Sequence, residues 1–472
     1  MVLWQEWFRC VCELRAACTR RRTFLWMAVV LVGFSIRSEH AGVTSFVRVL
    51  WLRNSTYPRL LNFFHSKALV LEKLSQLWVK LALKIFSPLL ENERLVLVAD
   101  GIKIPKEGRL MPAVKKLHQE SGNNSKAEFI FGHSFQALGL LVCGPQGHVA
   151  SVPLVSRIHE GIQNAPAPKP RKKSLLDKLA ILFLSIVKPL PRKAYLVADA
   201  YYASRKIILP LLQDGHHLVT RVRRNTIAYR PAPTPRKAKR GRPRLYGDKV
   251  QLSALWTQKN KFKTASSPVY GERDVKIQYR VVDLLWRPVG RLVRFVLVVH
   301  PKRGRIILLS SDLDLDPIRI IALYGYRFKI ESSFKQALHT LGAYAYHFWM
   351  LDMIPLSRKR SGDQYLHRCS PDYRRLVYRK MDAYHRFVQL ACIAQGLQQY
   401  LALHFRAKVW RNFKSWMRTM KPLDPPSEAV VAQALRNTLP DFLVDAPDSN
   451  ILALFLFEHM DHDRCPAFTL AA

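Results

Sequence analysis

Runs of apolar residues along this chain alternate between the spacing of helices and the spacing of strands. Residues 1 to about 92 carry apolar side chains at helical intervals, such as Leu74 and Trp78, and predict a small helical domain. Beyond it, short and almost uniformly apolar runs at 94–100 and 194–199 predict buried strands. Strands of this kind that alternate with helices predict an α/β fold built on a mixed sheet.

The same patterns place the remaining elements and divide the chain into five segments. Further strands are predicted within 128–143 and 148–155 and at 217–223, 275–285 and 292–299, and helices at 174–188, 203–213, 383–405 and from residue 316 onward. The segments are a helical N-terminal domain at 1–92, a first core part at 93–223, a basic linker with a β-rich insertion at 224–306, a second core part at 307–405, and a C-terminal region at 406–472. The insertion is expected at the periphery of the core that it interrupts.

Two of the predicted strands end on the same three residues, Val-Ala-Asp, at Asp100 and Asp199. In α/β sheets, functional groups gather at the carboxyl ends of strands. A third acid, Glu331, follows Tyr324 and Arg327 at helical intervals, which predicts that these three residues share one helix face. Three acids on rigid supports are the hard oxygen ligands that a two-metal phosphoryl-transfer site requires. The alternative for either aspartate alone is a turn residue or a helix cap, the commonest role of Asp after a strand.

The charge balance indicates a polyanionic partner. The chain holds 75 Lys and Arg against 34 Asp and Glu, a net charge of +41, and its 49% of hydrophobic residues excludes a disordered polycation. Nucleic acid is the first candidate and an anionic membrane the second. The best membrane segment, residues 23–36, is 14 residues long, short of the roughly 20 that span a bilayer, and predicts a buried helix. The seven scattered cysteines favour reduced thiols in the cytosol.

Four sequence motifs carry a resemblance to a known family: LVLVADGIKIPKEG around Asp100, YLVADAYYAS around Asp199, RGRPRLYG in the insertion, and YGYRFKIESSFK from Tyr324 to Lys335. On these motifs the chain resembles the insertion-sequence transposases of the DDE type, which have an RNase H-like core. It is similar to the group whose third acid lies in Tyr-x2-Arg-x3-Glu and whose core is split by a β-rich insertion. The signature of that group continues to a Lys seven residues after the Glu. This chain has Leu338 there, so Lys335 is the candidate for that cation.

The resemblance implies Mg²⁺-dependent cleavage at transposon ends and strand transfer into target DNA. Asp100, Asp199 and Glu331 would be catalytic and would hold two Mg²⁺ ions, for which Mn²⁺ would substitute. Arg327 would contact phosphate and Tyr324 the DNA backbone; the alternative is an ordinary helix face in which Arg327 pairs with Glu331. The implied partners are double-stranded DNA, as terminal inverted repeats and target, and a second protomer in a homodimer on DNA. In this arrangement 1–92 would be the DNA-binding domain and 406–472 the assembly region. The expected location is the cytoplasm of a prokaryotic host, at the nucleoid and not at a membrane.

Two other functions fit the same residues. A metal-dependent nuclease or resolvase would use the acids without strand transfer, and the sequence does not separate it from a transposase. A non-catalytic DNA-binding protein derived from such an enzyme is the third alternative, and the intact set of acids argues against it.

Basic and aromatic residues near the motifs are further candidates for DNA binding. Lys103, Lys106 and His118 follow the first aspartate on a predicted loop, where a solvated loop is an equal alternative. Trp349 ends an aromatic cluster and would stack on a flipped base, although core packing is the commoner role of such clusters. His133 is expected to be structural or to face DNA, because bound metals would already activate the nucleophile.

The linker of the insertion contains an element that resembles an AT-hook. In the sequence KRGRPR at 239–244, Arg242 beside Pro243 would enter a narrow minor groove, flanked by Arg240 and Arg244. The more general alternative is a basic arm that binds phosphates only.

Overall fold

A computed structural model describes most of the chain, namely residues 2–40, 42–119, 127–163, 174–233, 244–359, 362–416, 421–444 and 450–464. The chain divides into two compact units. The first consists of Met1–Pro88, Gly101–Lys172 and Glu331–Ala472, and the second of Leu89–Asp100 and Lys173–Ile330.

The described residues form helices and strands in similar numbers. The α-helices are α1 (Val2–Cys12), α2 (Arg21–Ile36), α3 (Thr44–Val49), α4 (Thr56–His65), α5 (Leu71–Ile85), α6 (Leu175–Val187), α7 (Arg205–Gln213), α8 (Pro317–Gly325), α9 (Phe328–His339), α10 (Pro371–His404), α11 (Arg406–Phe413), α12 (Glu428–Val444) and α13 (Ile451–His459). The strands are β1 (Ser87–Pro88), β2 (Leu90–Glu91), β3 (Arg94–Pro105), β4 (Lys115–His118), β5 (Phe129–Cys143), β6 (Val149–Ile158), β7 (Ile162–Gln163), β8 (Ala194–Ala198), β9 (His217–Val222), β10 (Ile227–Pro231), β11 (Tyr246–Gln251), β12 (Lys263–Ser266), β13 (Lys276–Trp286), β14 (Arg291–His300), β15 (Gly304–Ser310) and β16 (Gln364–Tyr365).

The second unit is built on a mixed sheet that begins with parallel strands. β3, β8 and β9 pair in parallel, and β15, β14, β13, β10 and β11 continue the sheet with antiparallel pairing. Residues 95–99 of β3 and all of β8 are buried, as is typical of parallel strands covered on both faces. Among the helices, α7 and α8 contact β9, and α6 packs on α7. The predicted α/β class and the strands predicted at 94–100 and 194–199 are confirmed.

The β-rich segment extends this same sheet. β13 and β14 form a long antiparallel pair that runs from Gln278 opposite Val299 to Trp286 opposite Arg291. β14 pairs with β15, and β15 pairs with β9. The strands predicted at 275–285 and 292–299 are therefore present, and they lie in the sheet that carries both aspartates.

The first unit is largely helical and is organised around α10. This helix of 34 residues packs against α2, α4, α5, α12 and β6, and nearly all of its residues from Ala383 to Ala402 are buried. It begins well before the predicted start at 383, because Ser370 caps it by accepting the N–H of Tyr373 at 3.2 Å and Pro371 occupies its first position. β5 pairs antiparallel with β1, β4 and β6.

The apolar segment at 23–36 is a buried helix, as predicted. Every residue of α2 from Phe24 to Ile36 is buried. The buried guanidinium of Arg37 follows directly and donates hydrogen bonds to the carbonyls of Leu341 and Gly342. Within the described residues, no helix is long and apolar enough to cross a membrane. The six cysteines in the described part of the chain are free thiols, in keeping with the sequence prediction.

Candidate active site

The two predicted aspartates follow the last paired level of β3 and β8; β8 ends at Ala198, whereas β3 continues through Asp100 to Pro105. The prediction that the first strand ends at Asp100, with Lys103 on a loop, is therefore wrong. The register pairs Ala99 of β3 with Ala198 of β8, and Asp100 and Asp199 are the next residues. Neighbouring strands lie about 4.8 Å apart, so this register sets the separation of the two aspartate Cα atoms at about that value. Both aspartates are partly exposed, whereas the residues before them are buried. The sheet therefore presents two carboxylates together at one of its edges.

Asp199 is held by the turn that follows β8. Its carboxylate accepts the N–H of Ala200 at 2.7 Å, and its carbonyl accepts the hydroxyl of Thr220 at 2.8 Å. The capping role that the sequence offered as an alternative is thus present at Asp199. A carboxylate has two oxygens and about four lone-pair sites, so one capping bond does not exclude a role as a metal ligand.

Arg327 contacts the other aspartate. Its Nη1 donates to Oδ2 of Asp100 at 3.2 Å, and 21% and 25% of the two side chains remain exposed. A guanidinium at this position lies within reach of any anion that binds beside the aspartates. Arg327 therefore lies beside the first aspartate, and its contact with DNA phosphate stays a prediction.

Tyr324 lies near both Asp199 and Arg327. Burial raises the pKa of its hydroxyl, and the negative charge of Asp199 raises it further. The positive charges of Arg327 and Arg221 and a hydrogen bond with Arg327 oppose this shift. Because the pKa of the hydroxyl stays above its ordinary value, Tyr324 keeps its proton at neutral pH and can donate a hydrogen bond to a phosphate oxygen.

The helix predicted to carry Tyr324, Arg327 and Glu331 is interrupted. α8 ends at Gly325 and α9 begins at Phe328. In the link between them, N–H groups donate to carbonyls three residues earlier, as from Arg327 to Tyr324 at 3.1 Å. Such 3₁₀ bonds tighten the turn and align side chains three residues apart, which brings these two side chains together. The prediction of one continuous helix is wrong, because local 3₁₀ bonding replaced the α-helical period.

α9 carries the remaining residues of the motif. Glu331 lies exposed in its first turn, where the helix dipole favours a negative charge. Lys335 is exposed one turn later, and Leu338 is half-buried. Glu331 belongs by its contacts to the first unit, whereas both aspartates belong to the second. Its role as the third ligand therefore stays a prediction from the sequence.

The two aspartates fit part of the ligand set that Mg²⁺ requires. Their carboxylates are hard oxygen donors, and two buried strands fix their backbone positions. Among the residues that the structure describes, no three His, Cys, Asp or Glu side chains form a group that could hold a metal ion. In the two-metal site predicted from the sequence, this pair would be the two ligands from the second unit.

The cations predicted after Asp100 differ in their surroundings. Lys103 donates from Nζ to the carbonyl of His118 at 2.6 Å, and half of the His118 side chain is exposed beside Phe129. Lys106 is buried, and its Nζ donates to the carbonyls of Tyr344 and Tyr346. Burial lowers the pKa of Lys106 to about 8.

The predicted contact of Lys106 with DNA phosphate therefore does not agree with its position. Its ammonium group is bonded to backbone carbonyls in the interior of the first unit, where a phosphate does not reach it. The charge pattern of the sequence could not reveal this, because the two carbonyls come from a segment more than two hundred residues away.

Most of the aromatic cluster that precedes Trp349 packs in the core, as the structural alternative predicted. Tyr344, Tyr346 and Phe348 are buried, and Phe348 stacks on His133 with ring centroids 5.9 Å apart. His133 is fully buried, bonds the carbonyl of Pro112 through Nε2, and has its pKa lowered to about 3 by burial. His133 is therefore structural.

Trp349 itself is half exposed, at 50%. It packs closely against Gly108, where an added Cβ would come within 2.6 Å of the indole ring. In the insertion, Arg244 is exposed, whereas Arg240 and Arg242 lie outside the described residues. The DNA contacts predicted for Trp349 and for these arginines stay predictions.

Arg221 belongs to the same edge and was missed in the sequence. Ala198 pairs with Thr220 of β9, so Arg221 follows at the level of Asp199 and is exposed. Its charge also acts on Tyr324. The sequence does show an apolar strand with a cation near its carboxyl end. Only the pairing of β9 with β8, however, shows that Arg221 lies beside Asp199.

A comparison with protein families identifies the family of this chain. The family model described as DDE superfamily endonuclease matches residues 13–280. The matched region includes Asp100, Asp199 and Arg221 and ends before Tyr324, Arg327 and Glu331. No curated protein matches the chain.

Proposed function

Because the chain belongs to the DDE superfamily endonucleases, an enzyme class that acts on DNA and generally uses divalent metal ions, we propose that it is a DNA transposase. Its reaction would be Mg²⁺-dependent cleavage at transposon ends followed by strand transfer into target DNA. The observation that supports this most directly is the pair Asp100 and Asp199 at one register level of two parallel strands, with Arg327 bonded to Asp100.

The residues of the second unit have separate roles in this proposal. Asp100 and Asp199 would hold Mg²⁺, with Glu331 as the third ligand that the sequence predicts. Bound there, the ions would supply Lewis acid chemistry for an in-line attack on a phosphodiester. Arg327 would bind a phosphate oxygen bidentately, and the protonated hydroxyl of Tyr324 would donate to a second oxygen.

Strand transfer also sets the partners in this proposal. Two transposon ends must be held together, so the active species would be a homodimer on double-stranded DNA that carries the terminal inverted repeats. Lys335 would take the place of the signature lysine that Leu338 replaces. The protein would act at the nucleoid in the cytoplasm of a prokaryotic host, and Mn²⁺ would substitute for Mg²⁺.

The alternative is a DNA endonuclease that cuts without joining, which the description of the matched family model also fits. A cleavage and joining assay separates the two functions. The substrate is linear DNA that ends in the inverted repeats found beside the coding region, and a supercoiled plasmid is the target. A transposase produces joined plasmid products in Mg²⁺, an endonuclease gives only cut ends, and a non-catalytic DNA-binding protein gives neither.

Asp100→Asn tests the assignment of the site. The substitution removes one hard oxygen ligand while it keeps the size of the side chain, so cutting and joining should fall at least about 100-fold. Binding of end DNA in the absence of divalent ions should be retained. Cleavage at the wild-type rate by Asp100→Asn would show that the site lies elsewhere.

A further inference from the structure

A cavity of about 770 Å³ in the first unit lies between the end of α4 and the first half of α10. We call it the α10 cleft; Lys67, Arg375, Arg379 and Arg386 are among its lining residues. The three arginines recur along α10 at intervals of four and seven residues, so they lie on one face of the helix. None of these four cations has a role in the candidate active site.

Arg386 forms a fixed part of the wall. It is buried, and it donates from Nε to the carbonyl of Leu69 at 3.1 Å and from Nη1 to that of Phe64 at 3.0 Å. These bonds join α10 to the end of α4. Both acceptors are backbone carbonyls, and the nearby carboxylates of Asp382 and Glu72 act on the charge of Arg386.

The cleft has more cations than carboxylates. Asp372 and Asp382 also line it, and Asp372 pairs with Arg375 in an exposed ion pair that contributes little to stability. Lys67 and Arg379 have no hydrogen-bond or ion-pair partner among the residues that the structure describes, and both are exposed. The lining therefore keeps a surplus of positive charge and two cations that are available to an anion.

We propose that the α10 cleft binds the phosphodiester backbone of DNA, with Lys67 and Arg379 each contacting a phosphate. Three observations favour DNA as the anion: the family acts on DNA, the chain carries a net charge of +41, and Tyr378, at 39% exposure, can bond the sugar-phosphate chain. Contacts of this kind position the duplex and do not read its sequence. The inference rests on the DNA substrate of the family and does not require strand transfer.

The test measures binding of a duplex of arbitrary sequence by fluorescence anisotropy in EDTA, at several salt concentrations. Each phosphate contact contributes about 0.9 to the slope of log K against log salt concentration. The double variant Lys67→Gln/Arg379→Gln should therefore show a slope smaller by about 1.8 than the wild type. The charge-retaining variant Lys67→Arg/Arg379→Lys should keep the wild-type slope.

The matched control is Lys408→Gln/Arg411→Gln, which removes the same two charges from exposed positions of α11 in the same unit. It should leave the slope unchanged. An unchanged slope in Lys67→Gln/Arg379→Gln, or an equal decrease in the control, would overturn the proposal. If the double variant lacks a cooperative thermal unfolding transition, Arg379→Gln alone is measured, with an expected decrease of about 0.9. Because EDTA prevents cleavage, this result is independent of the outcome for Asp100→Asn.

Discussion

Arg327 and Asp100 are 227 positions apart in the sequence, and Nη1 of Arg327 donates a hydrogen bond of 3.2 Å to Oδ2 of Asp100. The bond holds the turn between α8 and α9 to β3 at the first aspartate. A metal ion bound by Asp100 and a phosphate bound by Arg327 would each compete with this contact. If the proposed roles of both residues hold, binding of DNA at Arg327 and binding of metal at Asp100 would affect each other.

Arg327→Ala should lower the rate of DNA cleavage by about 10- to 100-fold, the effect of losing one hydrogen bond to a charged group. Its effect on the free energy of unfolding should be about 1 kcal/mol or less, because the pair remains partly exposed. The control is Arg319→Ala, which removes another arginine–carboxylate pair of α8, with Glu91. Cleavage assays and urea unfolding measure both effects. An equal loss of activity in Arg319→Ala would assign the effect to α8 as a whole.

Glu331→Gln should abolish cleavage with little change in stability. Glu331 is exposed in the first turn of α9, where the helix-dipole contribution of a negative charge is about 0.3–1 kcal/mol. Glu458→Gln, at an exposed position of α13 in the same unit, serves as the control and should retain activity. Cleavage at the wild-type rate by Glu331→Gln would show that Glu331 is not a metal ligand. The role of Asp100 and Asp199 is tested separately by Asp100→Asn.

Lys106 should give the protein a specific dependence of stability on pH. Its pKa in the folded protein is lowered to about 8, whereas an unfolded chain has the ordinary value of 10.5. Between these values the unfolded state binds more protons, so the free energy of unfolding should rise with pH through this interval. Below it, Lys106 is protonated in both states and its contribution is constant.

Lys106→Met removes this titration, so the difference between wild type and variant isolates it from the thiols and tyrosines that titrate nearby. Urea unfolding at pH values across the interval is the measurement. Lys103→Met, at a more exposed neighbouring position, should follow the wild-type curve. Parallel curves for wild type and Lys106→Met would show that the pKa of Lys106 is not lowered.

Gly396→Ala should destabilise the protein although alanine favours helices. A Cβ at this position of α10 would come within 2.2 Å of the ring of Trp78, which is fully buried. Overpacking of this kind costs about 1–3 kcal/mol, against about 1 kcal/mol gained from helix propensity. Thermal unfolding of Gly396→Ala, Trp78→Phe and the double variant tests this. The smaller ring should relieve part of the clash, so purely additive effects would contradict the packing explanation.

The strands that carry the aspartates were predictable because their signal is local. The residues from Leu95 to Ala99 and from Ala194 to Ala198 are apolar without interruption, which parallel strands buried on both faces require. Neither apolar run by itself predicts that the two strands pair, or which residues lie opposite each other. Their common Val-Ala-Asp ending was nevertheless the observation that placed both aspartates at one edge.

The errors arose where tertiary contacts or short-range bonding outweigh periodicity. The helix predicted from residue 316 onward breaks after Gly325, because 3₁₀ bonds keep the apolar pattern but change the geometry. Lys106 looked like a solvated cation, because the carbonyls that hold it belong to Tyr344 and Tyr346. Arg221 was overlooked because its neighbour Asp199 is known only from the pairing of β9 with β8.

In the sheet of the second unit, the strands that hold the two aspartates are separated by other strands from the β-rich segment. Five consecutive backbone pairs lock β3 to β8, whereas β10–β14 are attached beyond β15 at the opposite end of the sheet. Insertions, deletions or a fused reporter between β10 and β11 would alter only that far border. We therefore expect that the connection between β10 and β11 can change in length or sequence, in evolution or in the laboratory, while the spacing of Asp100 and Asp199 stays the same.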